Sequence, residues 1–184
     1  DIITEVDTLN AFSTLKKNLT NISTAVYLSE LVESVSMEES PNERLFNLFV
    51  SSLSRLTQGD EYFHILRHFE VKLLEYCGFG PELNNCLECF KVLPPADHYF
   101  SSYIGGLICF DCGQSVEGSK ISIKKNTIKL FRYFQKHSEH DSSALIIPKN
   151  NANELELILN HYIRYVVGKE MKSTKFLDLI TKKT

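Results

Sequence analysis

Glycine and proline are scarce in this chain, eight and five among 184 residues, while 43% of the residues are hydrophobic and 23% charged. That balance excludes collagen-like, low-complexity and disordered classes and leaves ample material for a core, in one domain or two small ones. No apolar run approaches the ~18 residues of a membrane span. The start, Asp1-Ile2-Ile3-Thr4-Glu5, is neither basic nor apolar, so no signal peptide is expected; without a Met at position 1 it reads as a fragment or a processed chain. No repeat of fixed period is present. Also missing are G-x-G-x-x-G, the P-loop and G-x-S-x-G, and the carboxylates are scattered, so no acid–base pair stands out and no enzyme is expected.

What is present begins with charge asymmetry. The net charge of −3 conceals −10 over residues 1–119 and +7 over residues 120–184. A basic half points to an anionic partner, nucleic acid being the commonest, unless the two halves simply face each other.

Periodicity predicts a mainly α chain. Residues 1–12 alternate weakly, as a strand or extended lead-in would. From Thr20, the spacing of Ile22, Val26, Leu28, Leu31 and Val35 is helical, and polar Met37–Ser40 ends it. Ser40, Pro41 and Glu43 read as a capping box opening a helix with Leu45, Phe49, Leu53 and Leu56 on one face, closed by Gly59. Asp60 reads as the cap of a third helix carrying Tyr62, Ile65, Phe69 and Leu73, which ends at Gly78. The helical period is lost between Pro81 and about Lys120. It returns over Asn126–Gln135 and, after a polar loop at His137–Ser143, over Asn151–Val167.

The interruption holds four of the five cysteines. Cys86 and Cys89 form one C-x2-C and Cys109 and Cys112 a second, a spacing that predicts a four-thiolate zinc site. Gly105, Gly106 and Gly113 are expected to provide its tight turns. Four protein ligands leave no open position, so such a zinc is structural, one per chain. Two disulfides and an iron–sulfur cluster are the alternatives. Cys77, at the end of an apolar helix, reads as a small buried hydrophobe.

His64 and His68 stand four apart on one helix but lack the glutamate of H-E-x-x-H, so they read as partly buried or surface histidines. Arg67 and Glu70 read as an ordinary helical ion pair. Lys125, Lys129, Arg132 and Lys136, spaced four, three and four, make one helix face basic, with Lys120 and Lys124 upstream. Such a row is either a solvated face or a phosphate-binding one.

Four stretches stand out when taken together: Tyr27-Leu28-Ser29-Glu30-Leu31-Val32; Leu66-Arg67-His68-Phe69-Glu70-Val71-Lys72-Leu73-Leu74; Gly105-Gly106-Leu107-Ile108-Cys109-Phe110-Asp111-Cys112; and Tyr162-Ile163-Arg164-Tyr165-Val166-Val167-Gly168-Lys169, followed by Lys172-Ser173. In this combination and order they resemble the bacterial RecO family of DNA repair proteins. The resemblance implies a helical domain, here residues 20–82 and 119–184, interrupted by a zinc-ribbon-like module at 83–118. Residues 1–19 then form a lead-in from an absent oligonucleotide-binding barrel. It also implies a non-enzymatic mediator of the bacterial cytoplasm and nucleoid. Such proteins bind single- and double-stranded DNA, the acidic–hydrophobic tail of single-strand-binding protein, and RecR, and they load RecA. On this reading Lys124, Lys125, Lys129, Arg132 and Lys136 contact DNA, and Arg132, Arg164 and Lys169 edge the groove for the tail. A structural zinc module without nucleic acid is the alternative. An ArfGAP-like regulator is another, but it needs an arginine soon after the second knuckle, where Gly113-Gln114-Ser115-Val116 stand.

Overall fold

The computed structural model describes residues 5–36, 40–116, 118–137 and 145–181. The chain is mainly α, with helices α1 (Leu19–Val35), α2 (Glu43–Gln58), α3 (Tyr62–Tyr76), a short α4 (Phe110–Ser115), α5 (Lys125–Lys136), α6 (Lys149–Val167) and α7 (Lys172–Thr181). Strands β1 (His98–Ser101), β2 (Gly106–Ile108) and β3 (Ile121–Ile123) form one antiparallel sheet in the order β2-β1-β3. Residues 5–12 pair with no described strand and lead into a 3-10 turn, Ser13–Lys17, that buries Leu15. The polar breaks expected at 37–40 and 137–143 fall largely outside the described residues.

Helix starts are where the sequence misleads. Asn18 caps α1, its Oδ1 accepting from the N–H groups of Thr20 and Asn21 at 2.8 and 3.2 Å. At α2 the cap is Asn42 rather than Ser40: the Asn42 Oδ1 accepts from Leu45 N–H at 3.0 Å, so no capping box forms with Glu43. Ser, Asp and Asn cap almost equally well, so their order along a polar stretch does not settle which one is used. Asp60 does not cap α3; its carboxylate takes the buried Arg55 Nε at 2.8 Å.

Helix α3 is the centre of the molecule. Its apolar stripe is expected to face one way, yet every residue from His64 to Val71 is buried, because α1, α2, α5 and α6 all pack on it. A helix covered on all sides must satisfy its polar groups internally. His64 and His68 do so at one ring nitrogen each, with Nε2–H donors to the carbonyls of Leu145 (2.7 Å) and His137 (3.3 Å), and so tie α3 to both flanks of the segment between α5 and α6. Both are therefore buried tethers rather than partly buried or surface residues. Arg67 and Glu70 are likewise fully buried, 3.2 Å apart, and Tyr27 O–H donates to Glu70 Oε1 at 2.9 Å. The surface ion pair suggested by their spacing is instead a buried network.

Cys77 is only half-buried; burial still pushes its thiol up, but it opens on a groove of about 780 Å³ between the end of α1, the start of α2 and the end of α6. Helix α7 is unforeseen in the sequence. Glu30 on α1 accepts from the N–H groups of Lys172 and Ser173, both at 2.8 Å, and so caps α7 from another helix. Desolvation would raise the Glu30 carboxyl, but the Ser173 hydroxyl and those two amides hold it below its usual value.

Candidate metal centre and basic face

The four knuckle cysteines converge although 19 residues separate the two pairs. One Sγ from each of Cys86, Cys89, Cys109 and Cys112 lies within 4.8 Å of the others, and Cys89 and Cys109 are 3.9 Å apart. All five cysteines are free thiols, so no disulfide uses these groups. Backbone amides turn inward on the sulfurs: Cys109 N–H donates to Cys86 Sγ at 3.2 Å and Cys112 N–H to Cys109 Sγ at 3.4 Å. Burial alone would raise the Cys86 thiol, but the amides of Cys109, Cys89 and Glu88 bring it down to about 6. Cys112 is pushed up to about 12, because the sulfurs of Cys109 and Cys89 hold its proton. Four sulfurs this close cannot all carry charge without a cation, so the cluster is suited to hold one metal ion.

The glycines work differently from one another. Gly105 takes the left-handed turn (φ 83°). A Cβ on Gly106 would lie 2.3 Å from the Glu82 carbonyl oxygen, and one on Gly113 2.2 Å from the Tyr99 ring, so these two give room rather than flexibility. Phe90, immediately after Cys89, also adopts a left-handed conformation (φ 58°) with its ring 77% exposed. That conformation costs a residue with a Cβ about 1–2 kcal/mol, part of which glycine's greater unfolded freedom offsets. Phe90→Gly is expected to stabilise the protein by about 0.5–1 kcal/mol, read as a rise of roughly 1–4 °C in Tm.

The metal segment is joined to the helices, not merely inserted between them. Phe100 on β1 packs between Phe131 and Tyr162, with ring centroids 6.1 and 5.3 Å away. Gln135 donates to Pro81 O at 2.9 Å, and Tyr162 O–H to Phe79 O at 2.9 Å. Two residues of the basic row take part. The Arg132 guanidinium donates to Leu83 O at 2.9 Å and is half-buried, so the outward placement expected of it is corrected: it holds the metal segment to α5. Lys124 pairs with Asp97 at 2.9 Å in an exposed contact. Lys125, Lys129 and Lys136 remain exposed along one side of α5. Lys120 lies over the Tyr99 ring, 5.7 Å from its centroid.

Arg164 and Lys169 share a groove of about 290 Å³ with Lys175 and the apolar side chains of Leu157, Ile163 and Met171. Arg132 does not line that groove. Arg164 also pairs with Glu170 at 2.7 Å, both well exposed. Lys175, three residues into α7, escapes sequence reasoning because α7 itself does. No helix among the described residues is long and apolar enough to cross a membrane.

A protein family described as "Recombination protein O C terminal" matches residues 16–175. Among curated relatives, a DNA repair protein RecO from Dehalococcoides mccartyi is 36% identical over 178 residues, covering 97% of this chain and 70% of the relative. One from Roseiflexus sp. is 33% identical over 177 residues, 96% of this chain and 62% of the relative. One from Desulforamulus reducens is 29% identical over 182 residues, 99% and 70%.

Proposed function

Because the chain belongs to the RecO family of DNA repair proteins, we propose that it is a recombination mediator without enzymatic turnover, which grips DNA through α5 and takes protein partners on its helices. The observation that carries this reading is the row of exposed Lys125, Lys129 and Lys136 on a helix that Arg132, in the same row, ties to Leu83. Three ammonium groups on one rigid face can meet phosphates without the chain rearranging and with little sequence preference. Lys124 contributes at the upstream end once it exchanges Asp97 for a phosphate, and both single- and double-stranded DNA fit such a face.

Zinc is the ion that the four thiolates of Cys86, Cys89, Cys109 and Cys112 suit: soft, tetrahedral and without an open position. Bound there, it supplies folding free energy to the segment that braces α5. Residues 83–118 are then the metal module, residues 20–82 and 119–184 the helical domain, and residues 1–19 the lead-in.

The groove of Arg164, Lys169 and Lys175 suits the acidic–hydrophobic tail of single-strand-binding protein, with apolar walls for its hydrophobic end and, for its carboxylates, Lys169, Lys175 and Arg164 once it exchanges Glu170 for the tail. Arg132, committed to Leu83, supports this only through the fold. RecR and the recombinase are the further partners, in the bacterial cytoplasm at the nucleoid.

Titration of fluorescent oligo-dT at several salt concentrations tests the DNA reading. With three phosphates neutralised, log K against log salt should slope by about −2, at −0.7 per contact. Lys129→Glu should weaken binding several-fold and flatten the slope. Unaltered binding by this variant at every salt concentration would make the row a solvated face.

A further inference from the structure

A third groove, of about 310 Å³, runs along the flank of α5. Its walls include Asn126, Lys129, Leu130 and Tyr133 from α5, with Ile147 and Asn151 from the approach to α6 and its first turn. At 100° per residue, Lys125, Lys129 and Lys136 occupy one narrow sector of the helix, and Asn126 and Tyr133 lie on the sector next to it. Lys129 therefore belongs to both the basic row and the groove.

Resting on the reading that this row holds DNA, we propose that the groove receives one unpaired nucleobase of a single strand whose phosphates follow Lys125, Lys129 and Lys136. Its chemistry is that of a base site. The Tyr133 ring is held flat against the His137 imidazole, 15° from parallel with centroids 4.0 Å apart, so an aromatic plane stands in the wall in a fixed orientation. Leu130 and Ile147 supply apolar surface. Asn126 and Asn151 offer carboxamides, each able to donate to and accept from a base edge. Asn151 is steadied by an Nδ2–H···Oγ1 bond to Thr127 at 3.4 Å. Ile146, 93% exposed, adds an apolar side chain that a stacked base would cover.

An acidic peptide fits less well, since Lys129 is the single cation in the lining, against three in the groove at the end of α6. A paired base could not enter, because both its faces and its edge are occupied inside a duplex. The groove thus gives this helix a means of favouring single strands over double, which a row of lysines lacks.

Two labelled octamers of equal charge separate the base from the phosphate: dT8 and a fully abasic octamer. The intact chain should bind dT8 at least about fivefold more tightly than the abasic strand, the lower end of base–aromatic stacking. Tyr133→Ala should abolish that preference and leave the abasic affinity unchanged, whereas Tyr133→Phe should retain it. Asn126→Ala, at an exposed position that folding does not depend on, should reduce the preference in the same direction and serves should Tyr133→Ala fail to fold. Lys129→Glu should weaken both strands. Equal affinity of the intact chain for the two octamers, or an undiminished preference in folded Tyr133→Ala, would overturn base capture and leave phosphate binding standing. No salt-dependent binding to either octamer would overturn both.

Discussion

Removal of the metal, by a strong chelator or by Cys109→Ser, is expected to melt residues 83–118 and leave most of the helical signal in place. Apart from the cluster, this segment has little of its own to hold it: two strands of four and three residues, joined by β3 from outside the segment, and a six-residue helix. Structural zinc contributes an apparent 10–16 kcal/mol or so to small fingers, far more than so few ladder bonds can replace. The loss should not stop at the module. Leu83 and Asp97 hold Arg132 and Lys124, and Phe100 is wedged against Phe131 and Tyr162, so α5 loses its brace. Metal-free protein should therefore bind DNA more weakly although no lysine has changed. Elemental analysis should find one zinc per chain, and hydrogen exchange should accelerate first in 83–118 and then in α5. Unchanged exchange after complete metal removal would contradict a structural centre.

The second large effect lies at the middle of α3. Glu70→Ala is expected to destabilise the fold by about 3–5 kcal/mol, the usual consequence of stripping the partner from a buried charge. Arg67→Met should cost less. A guanidinium cannot shed its charge, whereas an abandoned carboxyl can take up a proton. Glu70 is already disposed to do so: burial raises it to about 7, against the pull of Arg67 and the Tyr27 hydrogen bond, and Glu156 adds to the rise. Arg67 Nε and Glu70 Oε2 approach to 3.2 Å but are not aligned as a hydrogen bond, so the pair recovers less than its distance suggests.

A carboxyl raised from 4.5 to about 7 stabilises the fold fully below 4.5, and that contribution disappears as pH rises through 7. His68 acts in the opposite sense. Burial depresses it from 6.5 to about 4, so its contribution is present above 6.5 and lost as pH falls towards 4. The two slopes oppose each other in the intact protein. Glu70→Gln should remove one and expose the other, so that stability falls visibly on acidification below 6.5. Urea unfolding from pH 4.5 to 7.5 measures this; superimposable profiles for parent and variant would contradict it.

What could be read from the sequence follows from how local each signal is. The convergence of the four cysteines is legible because two short knuckles carry the whole pattern, and α5 is legible to within a residue at each end because its apolar and basic faces alternate cleanly. Burial of Arg67 and Glu70 is not legible: spacing three apart looks the same on a surface helix, and only the packing of four other helices hides them. Arg132 is the sharpest case. Its position on the helix wheel matches the lysines beside it, and only the carbonyl of Leu83, 49 residues earlier, draws it inward. The family stretches become intelligible once folded. Tyr27 from the first bonds Glu70 from the second, which Arg67 also approaches, and Glu30 from the first caps the helix that begins with Lys172-Ser173.

That last contact has a kinetic consequence. Glu30 and the amides it holds are 142 and 143 residues apart, and α7 lies along α1 rather than beside its sequence neighbours alone. During synthesis α1 must wait for the 142 residues that separate Glu30 from Lys172 before α7 can cover it. Closing so long a loop brings its entropic cost before its reward, so docking of α7 should be among the late events of folding. A nascent or truncated chain would meanwhile display the face of α1 that α7 later covers, the kind of surface that chaperones hold.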